Sequence, residues 1–131
     1  MSRETIKKAI ENAERVLERN AAPVEEGFDP NWQTIITVGE YIECEPHEVW
    51  RFIRKWGEYP DKDIRMAVAT CLLEHLLEYH FEEFFSLVKK ACEESRLFAD
   101  TFSMCSEFGQ TEQRENLKLF KALQNKIDNY K

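Results

Sequence analysis

The sequence predicts an all-α fold, a short α–α superhelix of about six to seven helices. Three observations lead there. Only four Gly and four Pro punctuate 131 residues of which 33% are charged, a balance that suits long amphipathic helices better than a many-turned β fold. Apolar residues recur at intervals of three and four along most of the chain. Two stretches that read as helix pairs also echo one another at a spacing of 35 residues. With 43% hydrophobic residues, among them nine Phe, four Tyr and three Trp, the chain carries enough apolar surface for one core. One all-helical domain over residues 1–131 is expected.

In the first segment Ile6, Ala9, Ile10, Ala13, Val16 and Leu17 form a single apolar stripe, which predicts a helix from about Ser2 to Asn20 that caps the N-terminal end, residues 1–20. Ala21 to Asn31 holds Pro23, Gly27 and Pro30 among acidic residues and reads as a loop. Asp29 then caps, and Pro30 begins, a second helix with Trp32, Ile35, Ile36, Gly39 and Ile42 inward. Pro46 opens a third, whose apolar side is Val49, Trp50, Phe52, Ile53 and Trp56 before Gly57 and Pro60 end it. Asp61 caps a fourth, with Ile64, Ala67, Val68, Cys71, Leu72 and Leu76 on one face, widened by Leu73 and Leu77, so this helix should be the most buried. Phe81, Phe84, Phe85, Val88, Ala91 and Cys92 predict a fifth helix. Phe98, Thr101, Phe102, Cys105 and Phe108 predict a sixth that Gly109 stops. Thr111 would cap a last helix over 111–131 that bears Leu117, Phe120, Leu123, Ile127 and Tyr130 and closes the C-terminal end.

Laid over each other, the two middle helix pairs match Trp50 with Phe85, Phe52 with Leu87, Ile53 with Val88 and Trp56 with Ala91 at an offset of 35, and Cys71 with Cys105 at 34. The stretch Asp61-Lys62-Asp63-Ile64-Arg65-Met66-Ala67-Val68-Ala69-Thr70-Cys71-Leu72 resembles the second helix of a HEAT repeat, with its acidic turn, Ile-Arg pair, small residues and Leu. The likeness extends loosely over helix pairs at 46–109, although the second unit has Leu97-Phe98 where the Ile-Arg pair would stand. The resemblance implies a right-handed stack of helix pairs whose second helices line a concave face, a face that HEAT proteins mostly use to hold other macromolecules. It also implies structural roles for Asp61 as a cap and for Arg65 as a bond to acidic or carbonyl groups of an adjoining turn.

A formal net charge of −7 and an isoelectric point near 5.1 set the field against nucleic-acid phosphates. No apolar run approaches the ~20 residues of a membrane-spanning helix, and the charged N-terminus does not read as a signal sequence, so no membrane and a cytoplasmic location are the default. Cys44, Cys71, Cys92 and Cys105 are widely spaced without a CxxC pair and read as reduced thiols, most of them in the core.

His75, Glu78 and Glu82 share a helical face, but there is no HExxH or ExxH motif, and the ordinary reading is a solvated acidic face. No nucleophile elbow or phosphate loop appears, so neither an enzyme, a metal nor a cofactor is implied. Trp50 and Trp56 read as core. Arg51, Arg54 and Lys55 form the best small basic patch. The expected function is a non-enzymatic protein-interaction module, meeting another protein through helices four and six with Glu74, Glu78 and Glu107. Two rivals stand beside it. One is a small acidic neutraliser of the immunity or antitoxin kind that complements a basic partner. The other resembles HEAT-like DNA alkylation-repair glycosylases, with Arg51, Arg54 and Lys55 on the phosphates. A monomer is favoured, with a dimer through either end helix as the alternative.

Overall fold

The computed structural model describes residues 3–19 and 29–129, among which every regular element is helical and no strand occurs. The Pro23 and Gly27 of the expected loop, and Tyr130 of the last stripe, lie outside the described residues. The first helix, α1 (Arg3–Arg19), packs inward through Ile6, Ala13 and Leu17. Asp29 caps α2 (Pro30–Gly39) by accepting the Asn31 N–H at 2.9 Å, with Pro30 in the first turn, where its missing N–H costs nothing. The inward stripe of α2 is Asn31, Thr34, Ile35 and Val38, one face at spacings of three and four. That stripe turns Ile36 outward, 45% exposed, against the expectation that it faced the core. Ile42 does sit in the core, in the turn after the helix, beside a buried Tyr41.

Next, α3 (Pro46–Trp56) buries Val49, Phe52, Ile53 and Trp56 and ends at Gly57. Asp61 caps α4 (Lys62–Val68), its carboxylate accepting from the backbone of Asp63 at 2.9 Å and Ile64 at 3.3 Å. A π-helical turn at Ala69–Leu73 leads without a break into α5 (Glu74–Glu94), and the fourth and fifth helices of the sequence reading meet within α5 as two segments of one kinked rod. The rod bends at His80, whose backbone is non-helical at φ −140°, ψ 43°. After α5, Ser95 caps α6 (Arg96–Ser103), which stops well short of Gly109. A 3₁₀ turn (Gly109–Glu112) and α7 (Arg114–Asp128) follow; Thr111 is not the cap of α7 but is buried in the 3₁₀ turn, and Gln113 takes the cap position without a side-chain bond.

The bend explains the early end of α6. A kink takes the Tyr79 carbonyl and the Phe81 N–H out of the helical ladder, and backbone groups freed in this way need other partners. The side-chain amide of Gln110 supplies both: Nε2 donates to Tyr79 O at 2.7 Å and Oε1 accepts from Phe81 N at 2.9 Å. The chain after α6 is therefore drawn along the rod. Glu74 accepts the Ser106 N–H at 2.7 Å, the Cys105 thiol donates to Ala69 O at 3.6 Å, and the Gln124 amide donates to Cys105 O at 3.2 Å from α7. Gly109 sits at φ +52° with Glu78 so close that a Cβ would lie 2.6 Å from its Cγ. Only glycine meets both the left-handed backbone and the crowding. His80 works on the other side, donating from Nε2 to Ile42 O at 3.1 Å and tying the turn after α2 to the rod.

Packing between the helix pairs rests on aromatics and one arginine. Trp56, Phe81, Phe84, Phe98, Phe102 and Phe120 are fully buried, with Phe102 and Phe120 at 4.9 Å joining α6 to α7. Trp50 lies partly buried against Phe84 and Phe98. Arg65 is buried and donates to Tyr59 O at 2.8 Å, Pro60 O at 2.9 Å and Asp100 Oδ2 at 2.9 Å, so it locks the turn before its own helix to α6. Of the paired positions, Ile53 and Val88 are both buried, as are Trp56 and Ala91, but Phe52 is buried where Leu87 is 40% exposed. All four cysteines are free; burial pushes Cys92 up to about 12 and raises Cys105 well above the ordinary thiol value, so both are neutral core thiols, while Cys44 is exposed.

Removing the Gln110 amide leaves two kink groups without partners, so Gln110→Ala should cost about 1–3 kcal/mol in urea denaturation. A loss under about 0.5 kcal/mol would mean that water serves the kink equally well.

Candidate functional site

Where α2 and the rod diverge above Gly39, they leave an open groove of about 450 Å³. Gly39 sets its depth: a Cβ there would lie 3.2 Å from Cys71 O and from Leu72 Cδ2, so the absence of a side chain lets the helices approach closely at the floor. Ile36 from α2 and Tyr79 from α5 form the two sides, 45% and 43% exposed. Ile42, Cys71 and Thr70 complete the lining below, with His75 on the rod wall. Burial raises the Cys71 thiol above its ordinary range, so it presents a neutral S–H to the groove and not a thiolate nucleophile. Glu40 and Glu43, both exposed, stand at the rim on the α2 side. Neither carboxylate has a cation within 4.0 Å among the described residues.

His75 is held by two neighbours. Its Nδ1 lies 2.8 Å from Glu78 Oε1, and Phe108 stacks on the ring at 5.6 Å between centroids. Phe108, itself 39% exposed, continues the apolar surface past the groove. Exposed aromatic and aliphatic side chains gathered round one concavity are a feature of surfaces that meet other molecules, since a lone soluble chain gains nothing by keeping them in water together.

The residues singled out from the sequence fall in different places. Glu74 is buried, 7% exposed, and spends its carboxylate on the Ser106 N–H; it is a structural group, not part of an accessible docking face. Glu78 is partly buried and engaged by His75, and Glu107 is half-buried on the segment after α6. The three do not form one open acidic surface, because the post-α6 segment covers that side of the rod. Glu82 lies beyond the kink and is exposed, separate from the His75 and Glu78 pair, and among the described residues no three His, Cys, Asp or Glu side chains gather into a metal-binding group.

The basic trio is matched by carboxylates. Arg54 bonds Glu58 at 2.9 Å and lies over the Phe98 ring, Lys55 bonds Glu14, and Arg51 is 3.8 Å from Glu48. Glu14 also accepts from Trp56 Nε1 at 3.3 Å, which draws α3 onto α1. A hollow of about 300 Å³ beside Arg51 and Lys55 is thus lined by Glu14 and Glu48 as well, an arrangement of mixed sign that favours no polyanion. Asp61 and Arg65 hold the cap and the interhelical lock described above.

Ile36, Tyr79, Glu40 and Glu43 did not stand out in the sequence. None of the four had a sequence signal as a groove residue, because their neighbourhood depends on how α2 crosses the rod. Comparison of the chain with protein families, with curated proteins and with solved structures returns no match.

Burial raises the pKa of Glu74 above 4.5 despite its bond from Ser106, so the native state holds this proton more tightly than the unfolded chain. The resulting stability is fully present below pH 4.5 and is lost as pH rises through the raised value. Glu74→Gln keeps an acceptor for Ser106 without the buried charge. Its melting temperature should equal the wild type near pH 4 and exceed it by a few degrees at pH 7, whereas Glu74→Ala should melt lower at both. A Gln variant that melts lower at pH 7 would show that the ionised carboxylate is the stabilising form.

Proposed function

We propose that this chain is a non-enzymatic protein-interaction module of the HEAT-like kind, and that the groove between α2 and the rod is its docking surface. One observation carries the reading: Ile36 and Tyr79 are kept in water on opposite sides of a concavity whose floor is apolar. An aromatic beside an aliphatic anchor in such a setting is the composition of binding hot spots. The kinship to HEAT repeats draws support from chemistry as well as from the motif. Arg65, the arginine of the motif, bonds the Tyr59 and Pro60 carbonyls of the preceding turn and Asp100 of α6, the kind of structural contact that the resemblance implies for it.

An acidic neutraliser of a basic protein is a narrower form of the same idea. It is favoured by Glu40 and Glu43 at the groove mouth, which have no cation within 4.0 Å among the described residues, and by the net charge of −7, which would speed the approach of a basic partner. A DNA-repair role of the alkylation type has less support, since Arg51, Arg54 and Lys55 each face a carboxylate.

The reading is tested by affinity capture from the native lysate at low and moderate salt, with nuclease treatment. Ile36→Asp and Tyr79→Ala change exposed groove residues, so they should keep the wild-type melting temperature within a few degrees yet lose a captured protein at least about tenfold. Arg51→Ala, outside the groove, should retain it. Equal capture by all variants would remove the groove as the docking surface, and capture of nucleic acid alone would favour the repair reading.

A further inference from the structure

The groove's two walls are themselves helical stripes. On α2 and the turn after it, Ile36, Gly39, Glu40 and Glu43 recur at three and four; on the rod, Cys71, His75 and Tyr79 recur at four. A trough between two helices is the counterpart of the ridge on a third, because side-chain rows of one helix seat between those of its neighbours. From Thr70 to Tyr79 the rod wall runs roughly 14 Å at the helical rise of about 1.5 Å per residue, which is two to three turns of an occupant. Its polarity is one-sided. The floor and flanks offer Ile42, the neutral Cys71 thiol, Ile36 and Tyr79, while the lining carboxylates, Glu40 and Glu43, stand on the α2 rim and His75 on the rod wall already has Glu78 beside it.

Resting on the reading of this groove as a docking surface, we infer that its occupant is an amphipathic helix of a partner protein that places apolar residues at i and i+4 into the trough and Lys or Arg beside them over Glu40 and Glu43. Charge complementarity selects the basic flank, because the rim carboxylates have no cation of their own within 4.0 Å among the described residues. Depth selects the apolar ridge, since about 450 Å³ holds a few side chains and not a folded domain. The walls are already fixed: His80 bonds the Ile42 carbonyl and Gln110 closes the kink next to Tyr79, so little ordering entropy is lost on the receptor side. Recognition of this form is the helix-in-groove mode, read by anchors one turn apart.

The test uses the full chain and a synthetic blocked peptide of about 14 residues with Leu at i, i+4 and i+7 and Lys on the flanking positions, followed by fluorescence anisotropy and by amide chemical shifts. A second peptide carries Glu in place of each Lys, and a third carries Ser in place of each Leu. The Leu-Lys peptide should bind and shift Ile36, Thr70 and Tyr79; the other two should bind at least about tenfold more weakly. Reversing the rim, Glu40→Lys with Glu43→Lys, should cost about tenfold or more. The same change in net charge at the far end of α5 and α7, Glu94→Lys with Asp128→Lys, should cost less than about threefold. All four positions are exposed, so circular dichroism should stay that of the wild type.

Equal losses in the two double variants, shifts centred elsewhere, or tight binding of the Leu-Glu peptide would overturn the inference. So would a salt-sensitive self-association of the chain that Leu119→Asp on the exposed, Lys-bordered face of α7 abolishes, because the occupant would then be a second copy. If Ile36 and Tyr79 variants lose a captured protein while the Leu-Lys peptide fails, the helix-in-groove idea falls and the docking reading stands. If neither responds to groove substitutions, both fall.

Discussion

The rest of the structure depends on one broken helix. Between Lys62 and Glu94 the chain runs as a kinked rod through a π-helical turn and a bend at His80, and a bend in a helix releases backbone groups that need other partners. Gln110 answers for two of them from 29 and 31 residues away. Once that amide is in place, the path of the segment from Cys105 to Thr111 is settled, and α7 must start where it does. On the opposite side His80 reaches the Ile42 carbonyl, so the same residue that breaks the rod positions α2 and with it the groove. π-helical turns often accompany functional sites, and here the turn supplies Thr70 and Cys71 to the groove lining while its Ala69 carbonyl takes the Cys105 thiol.

Electrostatics divide the molecule into spent and unspent carboxylates. Glu14, Glu58 and Asp100 hold α3 to α1, the end of α3 to the following turn, and α4 to α6, each through a cation or an indole N–H. Glu74 does comparable work on a backbone N–H, with burial rather than pairing as its dominant influence. Glu40 and Glu43 do none of this. A net charge of −7 thus has an uneven distribution of consequences, since carboxylates engaged inside the protein are poor attractors of a partner and those at the groove rim remain available.

The helices were legible where side chains alone dictate the outcome. Asp29 and Asp61 cap because a short oxygen-bearing side chain before an apolar run meets orphan N–H groups, and Arg65 is buried among carbonyls as its motif implies. The acidic segment from Glu74 to Glu83 was read as one solvated face, and that was wrong at Glu74. Its carboxylate is covered by residues more than 30 positions later, and helical spacing says nothing about a cover so distant. Ile36 was misassigned for a different reason: α2 has apolar residues on two sides, and periodicity cannot choose between them until a neighbour is placed.

By itself the sequence determined that this protein is all-helical, which stretches form helices and where most of them start, because these follow from local periodicity, capping chemistry and the scarcity of turn residues. Tertiary structure alone decided that Gln110 closes the break at His80, that Thr111 is core and not a cap, that the Arg51, Arg54 and Lys55 charges face carboxylates, and that Ile36, Tyr79, Glu40 and Glu43 share a groove. The physical reason is common to all four. A freed amide at a bend, a buried carboxylate and a cleft between crossing helices are each completed by groups distant in sequence, and only the packed chain brings those groups within hydrogen-bond or van der Waals reach.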